Sequence, residues 1–423
     1  MRSPMKPSLL VLFLLALTTS SAVFMRTEVG YTVVRTMMGA GAALTDAFGG
    51  TPVTLSKIWQ DYIPSPTQPQ KKLRILLVPG HEPSSGGTAF RGVYERNLTA
   101  ELGGDLQTYL AQDQQIQTFT TRTADTWTDT FAQYFNEHWQ EIIAWRQQAK
   151  TIAEALTAVN DSRPPKVYHT SVDVETATRL YGITKWANEN NIDLMLHIHF
   201  NDYPRRRNTM GTYSGFVLYI PSEEYANNPT TKALAEALFA RLAQYNPVTD
   251  HEDEAEGIVD DSELIATGAH NTADAASILI EYGYIYEAQF QNPELRSLAL
   301  RDLAYQTHIG LQDFFSHNTD VTPAGGYTPS EVYRWTTPVV DAQSDAKDIY
   351  AMQTALIMDG MYPPSGKSFN ECPHTGNFGP CTKVALAAFQ KKYGLPTEGP
   401  SGIKTFAQLQ KIYNKLDYSP SSL

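Results

Sequence analysis

The stretch DLMLHIHFND, Asp193 to Asp202, decides the fold, because it reads as an apolar strand that carries two histidines. Side chains two apart on a strand share a face, so His197 and His199 point one way while Leu194, Leu196, Ile198 and Phe200 point the other. A core histidine satisfied by a backbone carbonyl is the common alternative to a functional one. Two further apolar runs have the same texture: RILLVPGH, Arg74 to His81, and ASILIEYGYIY, Ala276 to Tyr286. Between them lie stretches of helical period. LTAELGGDLQTYL places Leu98, Leu102, Leu106 and Leu110 on one helix face, and TATRLYGITKWANEN and TTKALAEALFARLAQY predict two more helices. Strands alternating with helices imply an α/β domain built on a largely parallel sheet flanked by helices.

In open parallel sheets, ligand sites form beyond the carboxyl ends of the strands. His81 follows the first run, His199 ends the second, and Glu281 ends SILIE in the third. Three groups able to bind a metal or move protons therefore share one sheet edge. Glu95, in YERNLTAEL at the start of the helix after His81, is a fourth; an ordinary first-turn glutamate favoured by the helix dipole is its alternative reading. His81, Glu95 and His199 form a three-ligand set suited to zinc, with a position left open for water. Glu281 is costly to bury unless it lies near a cation, and its expected role is general base toward the water and then acid toward the leaving nitrogen.

The chain of 423 residues carries 33 Lys+Arg against 45 Asp+Glu, a net charge of -12, which argues against an electrostatic grip on nucleic acid or on an anionic membrane surface. Residues 1–22, MRSPMKPSLLVLFLLALTTSSA, set Arg2 and Lys6 before an apolar run and end in small residues, the layout of a secretory signal peptide. An uncleaved N-terminal anchor is the alternative, and either predicts an exported protein, periplasmic, wall-associated or extracellular. In that setting the two cysteines, Cys372 and Cys381, read as a disulfide rather than a metal pair. Residues 23–72 read as a leader or spacer, 73–317 as the catalytic domain and 318–345 as a linker rich in Thr, Pro, Gly and Ser. Residues 346–416 read as a small C-terminal domain and 417–423 as a tail. An aromatic-rich insertion around 123–166 reads as helical, and its length admits a lid over the site.

At these residues the chain resembles the zinc-dependent N-acetylmuramoyl-L-alanine amidases, the amidase 3 family of cell-wall hydrolases, over roughly Leu73 to Phe315. LLVPGH resembles the family's first strand and Pro-Gly-His turn, YERNLTAEL its Glu-bearing helix start, and Thr121–Arg122 a short motif after the next strand. IHFN is similar to the segment of the second histidine, YSGFVLYI to the strand after it, and LIEYGY to the segment with the catalytic glutamate. The resemblance implies one zinc on His81, Glu95 and His199, Glu281 as the catalytic carboxylate, and hydrolysis of the bond between N-acetylmuramic acid and L-alanine by a zinc-activated water. This chain has Val78 where an acidic residue is common, Glu82 where glycine is usual, His197 in place of a small polar residue and Tyr282 in place of a threonine. His197, Asn201 and Arg122 are expected to support the ligands or face the substrate. Arg205 and Arg206 form a solvated loop or a clamp for stem-peptide carboxylates.

The C-terminal segment resembles a peptidoglycan-binding domain of the small three-helix type. Phe378, Gly379 and Thr382 precede the helix with Phe389 and Gln390, and Gly402 and Thr405 open the last helix. Peptidoglycan, glycan strand and stem peptide alike, is the implied partner. Two rivals stand beside this reading: a zinc carboxypeptidase or endopeptidase of the stem peptide, and a catalytically inactive wall-binding scaffold.

Overall fold

The computed structural model describes residues 51–62, 71–157, 172–202, 209–223, 225–261, 263–316, 333, 335, 337–338, 341–396 and 402–414. The N-terminal signal reading, Arg205, Arg206 and most of the linker lie outside the described residues. The six-stranded sheet runs in the order β4-β1-β5-β8-β6-β7. Its strands are β1 (Leu73–Pro79), β4 (Ile116–Thr120), β5 (Leu194–Asn201), β6 (Val217–Pro221), β7 (Ile258–Asp261) and β8 (Ala276–Tyr284), and a small hairpin pairs β2 (Ala89–Phe90) with β3 (Val93–Tyr94). Strands β4, β1, β5 and β8 are parallel; β6 runs antiparallel to β8, and β7 is parallel to β6.

Alternation along the strands divides the sheet into two faces. Ile75 and Leu77, Leu194, Leu196, Ile198 and Phe200, and Ile278 and Ile280 enter one core with helices α2 (Glu95–Leu110), α5 (Asn228–Leu242) and α7 (Arg296–Ser316). On α2 the fourfold leucine repeat is buried throughout, at about 2 kcal/mol per side chain. Leu76, Val78 and Met195 face the other way, onto α3 (Asp129–Thr157) and α4 (Val174–Glu189). The insertion is thus a sheet-covering helix: Phe131, Phe135 and Ile142 of α3 pack with Tyr181, Ile183 and Trp186 of α4.

Three boundaries differ from the sequence reading. Helix α1 (Leu55–Tyr62), inside the span read as spacer, belongs to the catalytic core: Ile58 is fully buried, Trp59 Nε1 donates to Phe314 O at 3.0 Å, and Lys57 pairs with Asp193 at 2.5 Å. Trp335, inside the span read as linker, is buried in the C-terminal core beside Phe406 at 4.9 Å. Glu281 does not end its strand, since β8 continues to Tyr284.

The C-terminal domain is built on α8 (Ala346–Met358), α9 (Pro380–Lys392) and α10 (Ile403–Tyr413); a short helix α6 (Ala288–Gln291) precedes α7. Gly379 and Gly402 stand at the N-caps of α9 and α10, Gln353 Nε2 donates to Thr382 Oγ1 at 2.9 Å, and Cys372 and Cys381 form a disulfide. The domain docks against α7: Tyr350 Oη donates to Asp302 Oδ2 at 3.0 Å, and Leu295, Ala299 and Tyr350 share a small core. His374 stacks on Tyr350 with centroids 3.6 Å apart, and burial lowers its pKa to about 4. Between about 6.5 and 4 the unfolded chain therefore binds a proton at this residue that the folded chain does not, so its contribution is complete above pH 6.5 and is lost as pH falls through that window. Urea unfolding at pH 7 and pH 5 should show His374→Gln losing less stability on acidification than the parent, by on the order of 1 kcal/mol; equal losses would remove His374 from the account.

Candidate metal centre

Each ligand candidate is positioned by a different device. His199 sits on β5, opposite Glu281 in the parallel register with β8, so both project from the same face. Glu95 is the first residue of α2 and is 4% exposed. His81 lies on the turn after β1 with φ of 67°, a left-handed conformation that costs a non-glycine residue energy and recurs at functional turns. Close approach requires two glycines. A Cβ on Gly80 would stand 2.4 Å from the His199 ring, and one on Gly87, at φ +75°, would stand 2.8 Å from His81 Cδ2.

One ligand atom from each of His81, Glu95 and His199 lies within 4.8 Å of the others, and among the described residues this is the group that could hold a metal ion. Glu95 Oε1 accepts from His199 Nδ1 at 3.2 Å and from Phe200 N at 3.1 Å, and its Oε2 accepts from Thr88 N at 2.9 Å. His81 Nε2 stands 2.8 Å from Glu95 Oε2, yet is buried without an aligned hydrogen bond. Two atoms this close, in a group of three ligand-type atoms, are near enough to share one cation. Glu281 Oε2 is likewise buried without a partner.

The electrostatics separate the two carboxylates. Burial alone would raise the Glu95 carboxyl, but the charge of the close His81 imidazole and the hydrogen bond from His199 hold it well below the usual range, so it remains anionic. Burial raises Glu281 well above the ordinary carboxylate, with the negative charges of Glu95 and Glu254 adding to it. Burial lowers His199 despite the opposing pull of Glu95, which keeps the imidazole neutral, as a metal ligand must be.

The supporting residues resolve into distinct roles. Arg122 is 2% exposed and cannot touch a substrate; its Nε donates to Pro79 O at 3.1 Å, Nη1 to Thr123 O at 2.8 Å, and Nη2 to Gly80 O, to Arg96 O at 3.0 Å and to Thr99 Oγ1 at 3.0 Å. It ties the His81 turn to the start of α2. His197 is 2% exposed, one step deeper than His199 and opposite Leu279; burial, with the nearby His199 adding to it, lowers its pKa to about 3, so it is a neutral residue outside the candidate ligand group. Asn201 ends β5, where its carbonyl accepts from Ile285 N at 2.9 Å. Tyr282 faces the opposite core and bonds Thr307 at 2.9 Å. Sequence reading missed Thr88, whose NH holds Glu95, and the buried Glu254, which accepts from Tyr219 Oη at 2.7 Å and Thr249 Oγ1 at 3.2 Å. Neither carries a spacing that points to it.

The model of the N-acetylmuramoyl-L-alanine amidase family matches residues 75–309, more than half of the chain. The chain belongs to the N-acetylmuramoyl-L-alanine amidase family. A peptidoglycan-binding domain model matches residues 345–409 of this amidase, which is therefore a hydrolase of the cell wall with peptidoglycan as its substrate. No curated protein matches it. Among solved structures, the amidase is similar to the N-acetylmuramoyl-L-alanine amidase of Clostridium difficile 630 at 16% identity over 59% of this chain and 99% of that one, with a TM-score of 0.37. It is similar to Ami1 of Mycobacterium smegmatis at 16% over 59% and 99%, TM-score 0.39, and to AmiC2 of Nostoc punctiforme at 18% over 58% and 97%, TM-score 0.36. Among the described residues of the amidase, no helix is long and apolar enough to cross a membrane.

Proposed function

We propose that the amidase holds one zinc ion on His81, Glu95 and His199 and uses Glu281 to move the proton in hydrolysis of the amide between N-acetylmuramic acid and L-alanine. The observation that carries this is the His81 Nε2 and Glu95 Oε2 pair, close and buried yet not hydrogen-bonded, beside an unpartnered Glu281 oxygen. Two imidazole nitrogens and a carboxylate oxygen suit zinc, and three protein ligands leave a coordination position open. When bound, zinc supplies polarisation of the scissile carbonyl and a lowered pKa for water.

The protein's own residues do the rest. Glu281 takes a proton from the attacking water as its oxygen adds to the carbonyl carbon. It returns that proton to the nitrogen as the C–N bond breaks, and the water's second proton leaves the new lactyl carboxyl for the alanine amine, giving a carboxylate and an ammonium. A carboxyl raised by burial is suited to both halves of that exchange. Glu95 stays charged, Arg122 holds the turn that bears His81, and the C-terminal domain keeps the catalytic domain, which includes Leu55–Tyr62, near the wall and raises local substrate concentration. Export directed by residues 1–22 completes the reading.

Mass spectrometry of the soluble products of purified peptidoglycan tests it. Stem peptides with a free N-terminal L-alanine, absent when zinc is chelated, are the expected result. Products trimmed inside the stem would make the enzyme a peptidase, and no products from zinc-loaded protein would leave a wall-binding scaffold.

A further inference from the structure

The three ligand candidates are not equally well held. His199 stands in the middle of the sheet and Glu95 on a buried helix turn, whereas His81 lies on a loop, is the most exposed of the three with 26% of its side chain accessible, and adopts a left-handed backbone conformation. Before His81 the turn is held by Arg122 and Thr99 on the Gly80 carbonyl and by Gly80 N donating to Ile198 O at 2.8 Å; after it the backbone bond is Glu82 N to Ser85 O at 3.2 Å. The Glu82 side chain, at a position where glycine would offer nothing, reaches helix α4 instead. Its Oε1 accepts from Arg179 Nη1 at 2.5 Å and from Thr176 Oγ1 at 3.3 Å. Arg179 also pairs with Glu175 one turn earlier, and its guanidinium lies 5.6 Å from the ring centre of Trp139 on α3. Only 16% of the Glu82 side chain and 21% of that of Arg179 are accessible, so the pair is largely withdrawn from solvent screening.

We infer that the Glu82–Arg179 pair, backed by Trp139 of the inserted helix, is a brace that positions His81 for the metal. This rests on the zinc reading above and gives the insertion a role beyond covering the sheet. Glu82 and Arg179 are positioning residues: neither belongs to the candidate ligand group. Outer partners of metal ligands set metal affinity, and their removal commonly weakens it by about 10- to 100-fold.

The test is zinc titration of the metal-free full-length protein against a chromogenic chelator, for the parent, Glu82→Ala, Arg179→Ala, the double variant and Arg179→Lys. Each single alanine variant should bind zinc about 10-fold more weakly. The double variant should be no weaker than either single one, because both break the same link. Arg179→Lys, which keeps the charge, should recover part of the loss. Thermal unfolding of the metal-free forms runs alongside. Variants that melt earlier but bind zinc as the parent does would overturn the brace and leave a structural ion pair. A parent that binds no zinc would instead overturn the metal reading on which the brace depends.

Discussion

Glu281→Gln lowers kcat on purified peptidoglycan by about 100- to 10,000-fold while zinc content stays at that of the parent, the range expected on removing a general acid–base group. The amide keeps the shape of the carboxyl but neither accepts the water's proton nor delivers one to nitrogen. Its neighbours magnify the difference. Glu281 is buried with one oxygen unpartnered, and burial, with the charges of Glu95 and Glu254 adding to it, raises its pKa above that of an ordinary carboxylate. It lies outside the proposed ligand set, and this separates the two measurements. Metal content by elemental analysis decides the assignment: loss of zinc together with activity would make Glu281 a ligand, and full activity would remove it from the chemistry.

Arg122→Met destabilises the metal-free protein by at least about 3 kcal/mol, since each buried acceptor left without its donor costs about 1–3 kcal/mol. Four backbone carbonyls lose a donor at once; those of Gly80 and Arg96 keep Thr99 Oγ1, so the cost falls chiefly on Pro79 O and Thr123 O. Burial lowers the Arg122 pKa only to about 10, so the lost group is a charged donor at neutral pH. Arg122→Lys retains a charge but not the planar fork, and recovers only part of the loss. Urea unfolding measures the first effect. Zinc titration measures a second, because Pro79 and Gly80, whose carbonyls Arg122 holds, lead directly into His81. A variant as stable as the parent would show that water replaces the guanidinium.

Much of the site was legible before the fold because its residues lie on periodic elements. The period of two through Leu194 to Phe200 placed His197 and His199 on one face, and the sheet places them there. The fourfold leucine repeat from Leu98 to Leu110 set the orientation of α2, and with it the start of the helix that Glu95 occupies. A helical signal was also present in Leu55, Ile58, Trp59 and Tyr62, spaced for one face, but a single eight-residue helix between proline-rich flanks reads easily as spacer. Trp335 gave less: one aromatic residue in a loop has no period, and its burial follows from where α10 passes.

By itself, then, the sequence determined the α/β order, the faces of its strands and helices, and the residue types able to hold a metal, all of which follow from local geometry repeated along the chain. The tertiary structure decided what depends on residues far apart. It brought His81, Glu95 and His199 within one ligand radius, spent Arg122 on backbone carbonyls rather than on substrate, and set Glu82 against Arg179, 97 residues later. The physical reason is that periodicity constrains the direction of a side chain, whereas the partner it meets is fixed only when strands β1, β5 and β8 pair side by side and the helices close over them.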